Sequence, residues 1–340
     1  MICAARGLSR IVRTGSTDCR VNLAKEWALL CAPPSEDREL FLWRNRRVVV
    51  VGKNQSPAAE CDLSFLARHR IQLARRPTGG GAVFQDLGNT CWTFLSPRPE
   101  VEHNNAVILE ALRSLGADAA VSGRNDILVG ARKVSGAAFR NTPDRSIHHG
   151  TMLLSVDLDL MARALTVDSS KLTAKGVASV RSRVTNLRDI VKGVDHDAFC
   201  KALETAYERC FGPCIRVEES EESLLRDPVV AEKYALLSSQ SWLFPPQLNA
   251  SFHAKRRFEW GLFDVSVEMA GNKMAGFEVH SDCLTDLPVD RLREFVRRLG
   301  TTKADPREII EALVASDSPK DREVTREVCL WAATELSPFR

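Results

Sequence analysis

The chain has 340 residues, 44% of them hydrophobic and 27% charged, with a formal net charge of +3. That length exceeds one ordinary hydrophobic core and points to a large domain with a smaller companion, while the composition excludes a disordered or low-complexity chain. The small net charge argues against a nucleic-acid binder, which needs a concentrated basic face, and the most apolar stretches, such as 48–51 and 152–156, are far shorter than the roughly 20 residues of a membrane span.

Residues 1–17 carry Arg6, Arg10 and Arg13 and no acid, which suits a mitochondrial presequence, although Ile11 and Val12 also suit a first strand; the alternative to mitochondria is the cytoplasm. Segments 41–43 and 47–51 are apolar and β-branched, are separated by Arg44–Arg46 and stop at Gly52, so they read as two short strands of a buried sheet. Segment 71–76 alternates apolar and polar residues until Pro77 ends it. Thr78-Gly79-Gly80-Gly81 then makes a turn, 82–84 a strand, Asp86-Leu87-Gly88-Asn89 another turn and 90–95 a further strand, together a sheet edge built around glycines. Val107, Leu109, Leu112 and Leu115 fall at helical spacing before Gly116. Segments 126–129 and 133–139 flank Gly130-Ala131-Arg132 as a hairpin, and 150–156 returns beside it. Asp195 caps a helix through Phe199, Leu203, Ala206 and Phe211 that Gly212-Pro213 terminates.

Between about 238 and 252 the apolar period is lost, which marks a linker. A second unit opens with a hairpin, 257–269 and 273–279 around Ala270-Gly271-Asn272. Helices follow at 289–299, at 306–315 behind Asp305 and from about Arg322. The ten cysteines show no Cys-x-x-Cys pair and no zinc spacing, and they read as reduced thiols.

Five groups are candidates for chemistry. Three successive glycines between strands require positive φ or close approach of a ligand to main-chain N–H groups. With Arg76 beside them they read either as an anion-binding loop or as a tight turn with a glycine bulge. Lys133, followed by the small residues Ser135, Gly136 and Ala137, is either a solvated strand-edge lysine or a compact charge suited to a phosphate. Asn125-Asp126 is either a turn or, through Asp126, a contributor to Mg²⁺ binding. His148 and His149 are adjacent on a strand, so at most one enters a pocket. The basic run Lys171, Lys175, Arg181, Arg183 and Arg188 reads as a solvated loop, or as one that closes on an anion or docks an acidic partner.

Taken together, Arg75-Arg76-x-Thr78-Gly79-Gly80-Gly81-Ala82-Val83-Phe84-x-Asp86-Leu87-Gly88-Asn89 resembles the lipoate-binding signature of the lipoate–protein ligase family. Gly123-Arg124-Asn125-Asp126, Lys133-Val134-Ser135-Gly136 and His148-His149-Gly150-Thr151 follow in the family's order. Ala174-Lys175-Gly176 and Val180-Arg181-Ser182-Arg183-Val184 resemble its adenylate-binding loop. The resemblance covers about 10–335 and implies an α/β (α+β) fold: a catalytic domain over 1–245, with mixed sheets and packed helices, and a small α+β accessory domain over 253–340. It implies activation of lipoate by ATP and Mg²⁺ to lipoyl-AMP, then transfer to a lysine of apo lipoyl domains in 2-oxoacid dehydrogenase E2 subunits and of the glycine cleavage H protein. Neither nucleic acid nor membrane is an expected partner, and a monomer is the default.

The resemblance makes Lys133 the catalytic group. It places substrate and ATP at Arg76, Thr78, Gly79, Gly80, Gly81, Ala82, Val83, Phe84, Asn89, Asn125, Ser135, Gly136 and Gly150. Lys175, Gly176, Arg181 and Arg183 become the adenylate loop and Asp126 the Mg²⁺ ligand. Many relatives have His where this chain has Gln85, and an amide hydrogen-bonds but cannot change charge. The rival reading is a lipoyl or octanoyl transferase fed with a pre-activated acyl donor.

Overall fold

The run Leu40-Phe41-Leu42-Trp43 shows how the chain is layered. Leu40 and Leu42 enter one core and Phe41 and Trp43 another, so this strand is buried on both faces and its sequence reads as an unbroken apolar run. The computed structural model describes residues 8–166, 184–244, 248–271, 273–302 and 304–337. Contacts divide the chain into two units, one of Met1–Val51, Pro57–Pro77 and Ala82–Leu243, the other of Gly52–Ser56, Thr78–Gly81 and Phe244–Arg340.

The strands of the first unit are β1 (Ser9–Thr14), β2 (Arg38–Trp43), β3 (Val48–Val51), β4 (Gln72–Arg75), β5 (Val83–Gln85), β6 (Asn89–Ser96), β7 (Ala119–Ser122), β8 (Asp126–Val129), β9 (Arg132–Asn141), β10 (Ser146–Leu153) and β11 (Ile215–Glu219). They form an eight-stranded sheet in the order β11-β1-β2-β6-β10-β9-β8-β7 and a three-stranded sheet β4-β3-β5. Its longer helices are α1 (Cys19–Leu30), α2 (Val101–Ser114), α3 (His196–Phe211) and α4 (Pro228–Ser238). α2 and α3 cover one face of the large sheet, with Ile108, Leu112, Phe199 and Leu203 against Trp92, Val134 and Met152. α1 and the small sheet cover the other, where Leu23, Val48 and Val50 meet Phe41, Trp43 and Cys91.

Several expectations change. Segments 41–43 and 47–51 belong to different sheets. Of the strands around the glycines, β4 and β5 are the two edges of the small sheet, whereas β6 lies inside the large sheet with all eight residues buried. α1 escaped sequence reading because its buried positions include Asn22 and Glu26 as well as apolar residues, which hides the helical period. Of the N-terminal arginines, Arg13 pairs with Glu204 and Asp197 and Arg10 lies 4.0 Å from Glu39, so both charges have partners within the fold. No helix among the described residues is long and apolar enough to cross a membrane.

In the second unit β12 (Phe252–Phe258), β13 (Gly261–Ala270) and β14 (Lys273–Ser281) form an antiparallel sheet. The segment expected as one strand over 257–269 therefore turns at Glu259-Trp260, a pair without turn chemistry that sequence reading passes over. Helices α5 (Leu287–Thr301), α6 (Pro306–Val314) and α7 (Pro319–Glu335) pack Leu292, Phe295, Ile310 and Val328 against Phe263 and Val265. The Asp305 side chain accepts from the Arg307 N–H as the expected cap.

Candidate active site

β8 and β9 are joined by the two-residue loop Gly130-Ala131, with Gly130 at φ 59°, the left-handed conformation that a tight hairpin demands. Across this hairpin Ile127 faces Ser135 but Leu128 faces Lys133, so Val134 is an inserted bulge residue. A regular strand would turn positions 133 and 136 to opposite faces. The bulge re-aims Lys133 onto the face of Gly136, where a Cβ at position 136 would stand 2.7 Å from Lys133 Nζ.

The ammonium meets Asp126 Oδ1 at 2.7 Å, and both side chains are about one-third exposed. Beyond the register of β10, Val184 pairs with Lys133 and the Thr185 N–H donates to the Lys133 carbonyl at 2.9 Å. Asn125 is used structurally: its Nδ2 donates to the Ala137 carbonyl at 3.0 Å and its own carbonyl accepts from the Ala137 N–H at 2.8 Å. Gly150 is opposite both Trp92 and Ala137, and a Cβ there would lie 2.3 Å from the Trp92 ring. Ser135 pairs with Ile127 and Met152 of the α2/α3 core, and its hydroxyl is buried without a partner among the described residues. It offers the Lys133 face main-chain groups only.

On the α1 side the polar face continues through residues the sequence had not singled out. Glu26 is 1% exposed, accepts from Thr93 Oγ1, and holds His149 Nδ1 at 2.9 and 3.0 Å. His149 is opposite Ala138, two residues from Gly136, so its side chain shares that face. Arg76 completes the group. Its N–H donates to the Val51 carbonyl at 3.0 Å and Nη1 to that of Val50 at 3.2 Å. Burial draws its pKa down to about 10 while Glu26 acts to raise it, so it stays a cation at neutral pH.

His148 turns the other way, with its ring 5.0 Å from Trp92, and burial lowers its pKa to about 3. The unfolded chain titrates near 6.5 and the folded one near 3, so below 6.5 only the unfolded state takes the proton. Stability should fall by about 1.4 kcal/mol per pH unit across that window. Urea unfolding at several pH values, with His148→Gln as control, checks this; an unchanged slope in the variant would count against it.

The glycine loop divides between the units. Thr78 and Gly80 bond within the second: the Thr78 carbonyl accepts from the Lys53 N–H and the Gly80 N–H donates to the Cys283 carbonyl, both at 2.9 Å. Gly80 has φ 88°, and a Cβ at Gly79 would stand 2.4 Å from the Cys283 oxygen. Close approach of main chain is therefore the reason for glycine at position 79 and left-handed backbone the reason at position 80, while among the described residues no atom lies within 4 Å of a Cβ built at Gly81. In the first unit Ala82 and Phe84 join one core and Val83 another, so they too offer main chain rather than side chain. Asn89 is buried, with Nδ2 3.3 Å from Cys91 Sγ and Oδ1 unpartnered among the described residues. Gln85 accepts from Asn45 Nδ2 at 2.6 Å, and Asn45 accepts in turn from Asn22 at 3.0 Å, a neutral amide chain.

Asp126, Lys133 and Gly136 thus meet directly, Glu26 holds His149, and the charge of Glu26 acts on Arg76. Lys175, Gly176, Arg181 and Arg183 lie outside the described residues. Among the described residues no three His, Cys, Asp or Glu side chains cluster as a metal site. Asp126 is a single, partly exposed carboxylate, which fits Mg²⁺ held mainly by substrate phosphates.

The model of the lipoyl protein ligase A/B catalytic domain matches residues 18–208. The structure is similar to that of P. falciparum LipL1 in complex with lipoate, at 26% identity and a TM-score of 0.83, covering 96% of this chain and 100% of that one. It also resembles a bipartite lipoate protein ligase from Thermoplasma acidophilum, studied with its E2 lipoyl domain, at 28% identity and a TM-score of 0.60 over 72% of this chain and 100% of that one. A lipoate-protein ligase A bound with ATP matches at 28% identity and a TM-score of 0.57, over 70% of this chain and 98% of that one.

Proposed function

Since the chain belongs to the lipoyl protein ligase A/B family and is a lipoate–protein ligase enzyme, we propose that it joins lipoate to a lysine of acceptor lipoyl domains in two steps at the Lys133 face. A free carboxylate is a poor acyl donor. Lipoate attacks the α-phosphate of ATP, the bond to the β-phosphate breaks, and pyrophosphate leaves. The acceptor lysine then attacks the activated carbonyl and AMP leaves, its proton passing to solvent.

The observation that supports this reading is the partly exposed ion pair of Lys133 with Asp126. Its ammonium lies over the bare surface of Gly136, held by one partly exposed carboxylate, so a phosphate can replace Asp126 at little cost. There the charge opposes negative charge gathering on the α-phosphate. Arg76, cationic and buried beside Glu26, adds a second charge for the acyl phosphate. Asp126 then holds Mg²⁺ together with the phosphates, an ion that supplies charge neutralisation when bound. Main chain from Gly81 to Phe84 orients the nucleotide. No enzyme nucleophile is needed, and positioning supplies the remainder.

Incubation with lipoate, Mg-ATP and an apo lipoyl domain, read by intact mass, tests the function; an acceptor that stays unmodified would sink it. We propose E2 lipoyl domains and the glycine cleavage H protein as acceptors, acting on a monomeric enzyme. Pyrophosphate exchange that depends on lipoate separates this reaction from transfer of a ready-made acyl group. Gly136→Ala adds a Cβ 2.7 Å from Lys133 Nζ and only 3.8 Å from Asp126 Oδ1. The flexible ammonium yields, so exchange should drop by about 10²-fold, the effect of a misplaced group. Melting should hardly change, and a fully active variant would show that the ammonium's place is unimportant.

A further inference from the structure

The peptide joining Arg75 to Arg76 is gripped at both ends. Its N–H donates to the Val51 carbonyl at 3.0 Å, and its C=O accepts from Trp242 Nε1 at 3.0 Å. The grip is reciprocal. Arg75 is 4% exposed, and its Nε and Nη2 donate to the carbonyls of Trp242 and Leu243 at 2.9 and 2.8 Å. These are the last carbonyls of the short helix Gln240–Leu243, which a guanidinium fork suits because it satisfies two acceptors at once. The Trp242 ring is in turn held 5.0 Å from that of Trp27 on α1, the helix that carries Glu26. Trp242 lies beyond the residues 18–208 matched by the catalytic-domain model, and position 242 is 167 residues from Arg75.

We infer that Trp242, through its paired hydrogen bonds with Arg75, is a positioning residue that fixes the backbone of Arg76 and so the aim of its buried guanidinium at the acyl phosphate. The role in turnover rests on the ligase reading, whereas the mechanical claim does not. A side chain as long as that of arginine is directed by the peptide it springs from, and this peptide has one end in the small sheet and the other on Trp242. Turnover at the site therefore depends on a segment C-terminal to the matched catalytic residues.

The test uses the full chain with Trp242→Phe, which keeps a ring against Trp27 and loses the Nε1–H donor, and with Arg75→Lys, which keeps charge and loses the fork. Hydrogen exchange of the peptide spanning 72–77, measured without ligand, should quicken about tenfold in both variants, the factor carried by one net hydrogen bond. In the pyrophosphate assay kcat should fall about tenfold with the KM for lipoate nearly constant, the pattern of an interaction made only as the acyl phosphate forms. Unchanged exchange at 72–77, or a lowered melting temperature with unaltered KM and kcat, would overturn the proposal. If the parent chain shows no lipoate-dependent exchange of pyrophosphate, the ligase reading fails, and the ligand-free arm still decides whether Trp242 holds Arg76.

Discussion

Replacing Lys133 with alanine is expected to lower lipoate-dependent ATP–pyrophosphate exchange by about 10³-fold, the scale of losing a key donor to a developing anion. The fold should survive the change. Lys133 and Asp126 are each about one-third exposed, and pairs of that kind contribute roughly 0–1 kcal/mol, so melting should shift by no more than about 4 °C. Lys133→Leu should behave alike, since it keeps much of the aliphatic stem without the charge. Lys133→Arg retains a cation but spreads it over a planar fork too broad for the Gly136 floor, and partial activity is the expected outcome. Near-normal exchange by a well-folded Lys133→Ala chain would refute the mechanism.

Glu26→Ala should be the most damaging single change to stability in the first unit. The carboxylate is 1% exposed and binds Thr93 and His149, and its charge acts on the buried Arg76 guanidinium. Truncation leaves a cation in the interior without its counter-charge and empties the space of the side chain. Breaking a buried pair in this way costs about 3–5 kcal/mol, or roughly 10 °C of melting temperature for a unit of this size. Glu26→Gln keeps the shape and the hydrogen bonds to Thr93 and His149, so its loss should be smaller. Thermal and urea unfolding of the two variants measure the difference. If Glu26→Ala melted within 2 °C of the parent, Glu26 would not be the electrostatic anchor of this face.

Local chemistry made much of the chain legible. Gly130 marks the β8–β9 hairpin because a two-residue loop needs φ near 59°, and Asp305-Pro306 starts α6 because the carboxylate caps the N–H that follows. The ordered motifs from Arg75 to Asn89 and from Lys133 to Gly136 pointed to the family that the catalytic-domain match then showed. The adjacency of His148 and His149 sufficed to say that they face opposite ways, as they do.

Other features had no local trace. Glu26 lies in a helix whose apolar period is blurred by burial on several sides, and nothing near it in sequence calls for a carboxylate. The need comes from Arg76 and His149, which are 50 and 123 residues away. Trp242 meets Arg75 across a comparable separation, and the bulge at Val134 is visible only once Leu128 is seen opposite Lys133. Composition, turns, caps and motif order follow from interactions between near neighbours, so the sequence alone determined them. Which face Lys133 takes, and which distant side chains balance the charge buried beside it, are set by strand register and by burial, and these exist only after distant segments have packed together.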